Sequence, residues 1–222
     1  MKTLAIIGTN GIPSKYGGFE TLVEQLVIKL HDRLHITVFC SSKYSNTKIN
    51  NYKGAHLEYI NLDSNGWQSV LYDSFSILKS FNKFDKILIL GCSGAIILPF
   101  LFYHKEKFIL NFGGLDWKRD KWNILAKFYL KFSERLAVMN SGKIISDNQG
   151  ILDYVFNVYG KKSSLIAYGG DQAVKIRDKK RAYKFENSDY FVTVARVQKD
   201  NNLELILNSF VALSKQKIVI IG

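Results

Sequence analysis

Apolar residues fall along this chain in short solid blocks, separated by longer stretches where they recur every three or four positions. The blocks Thr3–Gly8, His35–Cys40, Leu57–Asn61, Lys86–Cys92, Lys107–Phe112 and Lys143–Ser146 are largely apolar instead of strictly alternating. That is the pattern of strands covered on both faces. The spacing between blocks predicts helices over Gly18–His31, Gln68–Phe81, Lys121–Asn140 and Gln149–Val158. The first would bury Phe19, Leu22, Val23, Leu26, Val27 and Leu30 on one face. The run Ala95–His104 (AIILPFLFYH) reads as a buried helix, well short of the roughly 18 apolar residues of a membrane span. Strands alternating with helices give right-handed crossovers and a doubly wound parallel sheet, an α/β fold.

The pattern breaks at Asp171–Ser188, a polar and basic stretch that reads as a linker. It then restarts with a strand at Tyr190–Ala195, a helix from Leu203 to Lys215 and a strand at Lys217–Gly222. One βαβ unit cannot cover both faces of its own strands. The expected organisation is a domain over 1–170, a linker over 171–188 and the incomplete start of a second α/β domain over 189–222.

Ligands in such sheets gather at the carboxyl ends of the strands. Those ends carry the loops Gly8–Gly18, Gly91–Gly94, Gly113–Arg119 and Asp147–Gln149, which would share one crevice. In the first loop, the pair Gly17–Gly18 enters a helix, leaving unpaired amides suited to a phosphate oxygen. Lys15 would add a point charge, and Tyr16 and Glu20 are further substrate-binding candidates. The plain alternative is a long turn, and the G-x-G-x-x-G spacing of a dinucleotide-binding oxidoreductase is absent. In "GGLDWKRDKW" (Gly113–Trp122), Asp116 would contact a substrate hydroxyl and Trp117 would stack on a ring. Lys118 and Arg119 would meet phosphate or lipid headgroups. The other reading leaves Asp120 as a helix cap and the cations in water. Asn148 and Gln149 are candidate substrate contacts, although Asp147 or Asn148 also suits the helix N-cap. Arg196 and Lys199 follow the first strand of the second unit, where they would clamp a pyrophosphate.

The 222 residues carry a formal net charge of +12, which calls for an anionic partner. The cations are dispersed, without a zinc-finger pattern, RNP-type aromatics or an arginine block, which argues against nucleic acid. The helix at 121–140 offers two readings. Its Lys127, Lys131 and Arg135 would meet an anionic membrane, or its apolar face would enter the core with those cations in water. Cys40 and Cys92 end apolar blocks and read as buried thiols of a cytoplasmic protein, with no metal site.

The motifs GIPSKYGGFET, GGLDWKRDKW, SDNQGI, AYGGD and ARVQKDNNLELILNSF, in that order, resemble the bacterial rhamnosyltransferase branch of the family-4 retaining glycosyltransferases. The resemblance spans nearly the whole chain. It implies two facing Rossmann-like domains of the glycosyltransferase B type, the first on the acceptor side and the second holding the nucleotide-sugar. It further implies transfer of L-rhamnose from dTDP-L-rhamnose to a lipid-linked saccharide in cell-surface polysaccharide assembly, without a metal or other cofactor. Gly17, Gly18, Arg196 and Lys199 would then hold the donor diphosphate, with Asp116 beside the reacting sugars. Two motifs depart from the family pattern. Asn201 stands where many members have a lysine, and Gly113, Gly114 and Asp116 stand where many have a histidine. The family's donor-holding carboxylate motif falls beyond Gly222, so the expectation is a chain inactive by itself. The rival class is a non-enzymatic module that binds acidic lipid or a lipid-linked saccharide through its basic loops.

Overall fold

The computed structural model describes residues 1–15, 17–44, 48–170, 189–198, 201–213 and 216–222. The expected linker 171–188, Tyr16 and Lys199 lie outside the described residues. Six of the predicted strand blocks form β1 (Lys2–Ile7), β2 (Leu34–Ser41), β4 (Ala55–Ile60), β5 (Lys86–Leu90), β6 (Phe108–Asn111) and β7 (Lys143–Ser146). Two short strands escaped the pattern: β3 (Asn51–Tyr52) and β8 (Ser164–Leu165). Two residues cannot display a period. The sheet runs β3-β4-β2-β1-β5-β6-β7-β8 and is parallel except for the β3–β4 pair.

Alternation along β1 divides the core between the two faces of the sheet. Ala5 and Ile7 join Ile87, Ile89, Phe108 and Leu110 on one face. Leu4 and Ile6 join Ile36, Val38, Leu88 and Leu90 on the other. The first face is covered by α2 (Gln68–Ser80), the 3-10 segment Ala95–Lys107, α3 (Ile124–Met139) and α4 (Gln149–Tyr159). The second is covered by α1 (Gly18–Leu30), through Val23 and Val27. Each fully buried Ile or Phe contributes about 2 kcal/mol. The Tyr72 hydroxyl on α2 reaches the carbonyls of Thr9 (2.9 Å) and Phe39 (2.8 Å), locking the loop after β1 to β2 and α2.

Ala95–His104 is not the buried helix that its composition suggests. Pro99 lacks an N–H and interrupts the ladder, so the chain forms 3-10 turns broken at Leu101. Ala95, Leu98 and Leu101 are buried, while Phe100 and Tyr103 point outward. The helix expected from Lys121 starts at Ile124 because Asn123 caps it, its Oδ1 accepting from the Ala126 N–H at 2.9 Å. Asp120, the expected cap, instead faces Lys127 at 3.8 Å. Beyond residue 188, β9 (Phe191–Val194), α5 (Leu203–Ala212) and β10 (Ile218–Ile221) make the predicted βαβ unit, with its two strands paired in parallel.

Candidate functional site

A cleft of about 1040 Å³ opens over the carboxyl ends of β1, β5 and β6. Parallel pairing brings these ends to one edge, and the loops there carry the glycines and polar residues that the sequence singles out. Gly17, Gly18, Glu20, Asp116, Trp117, Arg119 and Arg196 all line it.

Gly17 is the N-cap of α1, with φ +119 and no capping side chain, so the first amides of the helix have no side-chain acceptor at the cap. A Cβ at Gly17 would sit 1.9 Å from Glu20 Oε2. The site therefore demands glycine on both conformational and steric grounds. Glu20 is buried behind this turn. Its Oε1 accepts from Thr9 Oγ1 (3.0 Å), the Asn10 N–H (2.8 Å) and Asn10 Nδ2 (2.8 Å). One oxygen of this candidate thus holds the 9–10 loop in place.

Across the cleft, Asp116 lies 3.9 Å from Arg119. Partial enclosure raises its carboxyl above the ordinary range, and Arg119 and Lys121 work in the opposite direction. The indole Nε1 atoms of Trp117 and Trp122 are buried without a hydrogen-bond partner, and both rings line the cleft. Behind them, Glu134 on α3 is buried and accepts from Tyr154 (2.6 Å), Tyr159 and Lys131 (2.9 Å). The Lys131 ammonium also sits over the Trp117 ring at 4.7 Å, fastening the 116–118 turn to α3. Burial pushes the Tyr159 phenol far up, and its bond to the Glu134 carboxylate pushes it further.

Sequence reasoning missed Asp73. It lies on the buried stripe of α2, lines the cleft, and its carboxylate accepts from Ser93 Oγ. Burial raises this carboxyl to about 7, while the Ser93 bond lowers it. The available signal was a lone acid among Tyr72, Ser76 and Ile77 at helical spacing.

Other candidates stay outside the cleft. The Lys15 ammonium lies 5.5 Å from the centroid of the Tyr44 ring, and Lys118 rests over Trp117 at 5.4 Å. Asn148 is the N-cap of α4, its Oδ1 accepting from the Ile151 N–H at 3.0 Å. Gln149 donates to Asp153 at 2.7 Å. Cys40 is buried against Gly11, and burial pushes its thiol up to about 11.

Residues 1–171 match the model of a family described as a domain of unknown function, DUF1972. The chain belongs to the DUF1972 family. This DUF1972 protein is also similar in structure to a sucrose-phosphate synthase from Thermosynechococcus elongatus, with a TM-score of 0.75 and 13% identity. The match covers 100% of the DUF1972 chain and 62% of the synthase, so the chain spans under two thirds of that protein's length. Likeness at this identity shows the fold. The DUF1972 layer is the Rossmann-like half of a glycosyltransferase B-type architecture. No curated protein matches the sequence.

Proposed function

We propose that the protein is a glycosyltransferase that moves a sugar from a nucleotide-sugar donor to a saccharide acceptor bound in the cleft. The observation that supports this reading most strongly is the meeting of the open α1 N-terminus at Gly17–Gly18 with Arg196, Asp116 and Trp117 around one cleft. Partial positive charge at a helix N-terminus and a guanidinium suit a leaving diphosphate. Trp117 would give a sugar ring an apolar wall, and Asp116 would accept from its hydroxyls. Asp73 and Ser93, beside the end of β5, would hold hydroxyls of the acceptor.

In the reaction, the acceptor oxygen bonds to the anomeric carbon while the carbon–oxygen bond to the diphosphate breaks. The bonding pair leaves with the diphosphate, whose oxygen receives the acceptor's proton. The growing charge on that leaving group is what Arg196 and the α1 amides would stabilise. The finer reading follows the motif resemblance. The donor is dTDP-L-rhamnose, attack is on the face the leaving group vacates, and the acceptor is a lipid-linked saccharide at the cytoplasmic membrane surface.

The test is label transfer by the native protein isolated from its source cells. Radiolabelled dTDP-rhamnose and the membrane lipid fraction are supplied, and label in the organic phase is counted. We expect labelled lipid, reduced by on the order of a hundredfold with Arg196→Ala. No labelled lipid, or undiminished labelling by that variant, would overturn the reading. Anionic-vesicle binding without turnover would favour the lipid-binding module, to which the exposed apolar layer described next also lends weight.

A further inference from the structure

The helices on the crowded face of the sheet wear much of their apolar surface on the outside. On α3, helical spacing puts Ile124, Leu125, Phe128, Phe132 and Met139 on one side, and all are exposed. Its inward residues include polar Ser133 and Glu134 beside Ala137 and Val138. The usual arrangement of a surface helix is thus partly reversed. On α2, Leu71, Phe75 and Leu78 face outward, while Asp73, Ser76 and Ser80 are buried.

The 3-10 segment packs against both helices and therefore lies between them. It continues the pattern with Phe100 and Tyr103, which are 79% and 84% exposed. On α3, Leu125 and Phe128 are exposed to 80% and 76%. Single exposed apolar residues are ordinary, but a layer of three adjacent elements bearing them marks an interaction surface.

Charge identifies the partner. Lys105 and Arg135 are exposed within this layer, against Glu106, while the carboxylates of Asp73 and Glu134 are turned inward. A second copy of the chain would bring another +12 against the first. An anionic lipid surface offers both an apolar interior for Phe and Leu and opposite charge for Lys and Arg.

We propose that the outer surface of α2, the 3-10 segment and α3 docks onto an anionic lipid bilayer. Phe100, Tyr103 and Phe128 enter the headgroup boundary, with Lys105 and Arg135 at the phosphates. Because α3 follows the Asp116 turn and its inner side reaches the cleft through Tyr129 and Glu134, docking sets the cleft beside the membrane. The proposal deepens the lipid-linked acceptor reading but stands on surface chemistry alone.

The experiment is co-sedimentation of the 222-residue chain with vesicles of phosphatidylcholine alone, or of phosphatidylcholine and phosphatidylglycerol in equal parts. We expect sedimentation with the mixed vesicles, weakened by salt. The triple variant Phe100→Ser/Tyr103→Ser/Phe128→Ser should bind them on the order of tenfold more weakly, with a thermal transition like that of the parent. A control, Leu205→Ser/Val211→Ser on α5, should bind as the parent does. Failure of the parent to sediment, equal binding by the triple variant, or equal loss in the control would each overturn the proposal. So would a dimer of the parent that the triple variant turns into a monomer, since the covered face would then belong to a second copy. Binding needs no sugar donor, so its failure would leave sugar transfer standing, and the failure of transfer would leave binding standing.

Discussion

Asp73 shows how one buried group carries both a pH dependence and a place in the cleft. Burial raises its carboxyl from an ordinary 3.8 to about 7, so the fold favours the protonated form. Its contribution is fully present below the ordinary aspartate range and is lost as pH climbs through about 7. Asp73→Asn keeps the shape and removes the titration. We expect the variant's stability advantage to be near zero in acid and to grow to at most about 4 kcal/mol above neutrality. Urea unfolding over a pH series measures this, and a difference constant with pH would refute it. Gly17→Ala tests the other wall of the cleft. At φ +119, with Glu20 Oε2 in the way of a Cβ, alanine should destabilise by about 2 kcal/mol, read from the urea midpoint. The glycine's helix-entry position was legible in the sequence. Glu20's inward turn was not, because its partners Thr9 and Asn10 are brought to it only by the closure of the loop.

At the scale of elements, solid apolar blocks were sufficient to find the six long strands and their order of appearance. Their lateral order came from chain geometry that no local window contains. Helix α1 was found and oriented, its expected face packing onto the sheet through Val23 and Val27, whereas α3 was found but not oriented. Ile124, Leu125, Phe128 and Phe132 were as eligible for the core as Leu136, Ala137 and Val138, and burial of the Glu134–Lys131–Tyr154–Tyr159 cluster decided between them. Neither reading of the 121–140 helix anticipated Lys131 turning inward while phenylalanines faced out. Asn148 displays the competition between capping and binding. Its Oδ1 is committed to the Ile151 amide, so Asn148→Ala should shorten α4 and cost about 1 kcal/mol. Titration of the variant with the nucleotide-sugar should give an unchanged affinity. A lost affinity with unchanged stability would instead support Asn148 as a substrate contact.

The whole molecule is lopsided. Among the described residues, three helices and the 3-10 segment crowd one face of the sheet, and α1 covers the other. Beside α1 a groove of about 860 Å³ remains, lined by Leu4, Leu88, Ile109 and Ile145. Composition predicted a large core but could not predict this uneven distribution, which depends on the side each crossover takes. The consequence lies in time as well as in space. Backbone amides exchange with solvent deuterium only when their segment opens, and opening is easiest where burial is least. Followed by mass spectrometry in heavy water, the protein should therefore label from its margins inward. Strands β8, β9 and β10 should fill first, and β6 and β7 should follow beside the groove. The centre of β1, where Ala5, Ile6 and Ile7 are wholly enclosed, should hold its hydrogens longest. Uniform uptake across β1, β7 and β8 would mean that the sheet opens as a single unit, despite its lopsided cover.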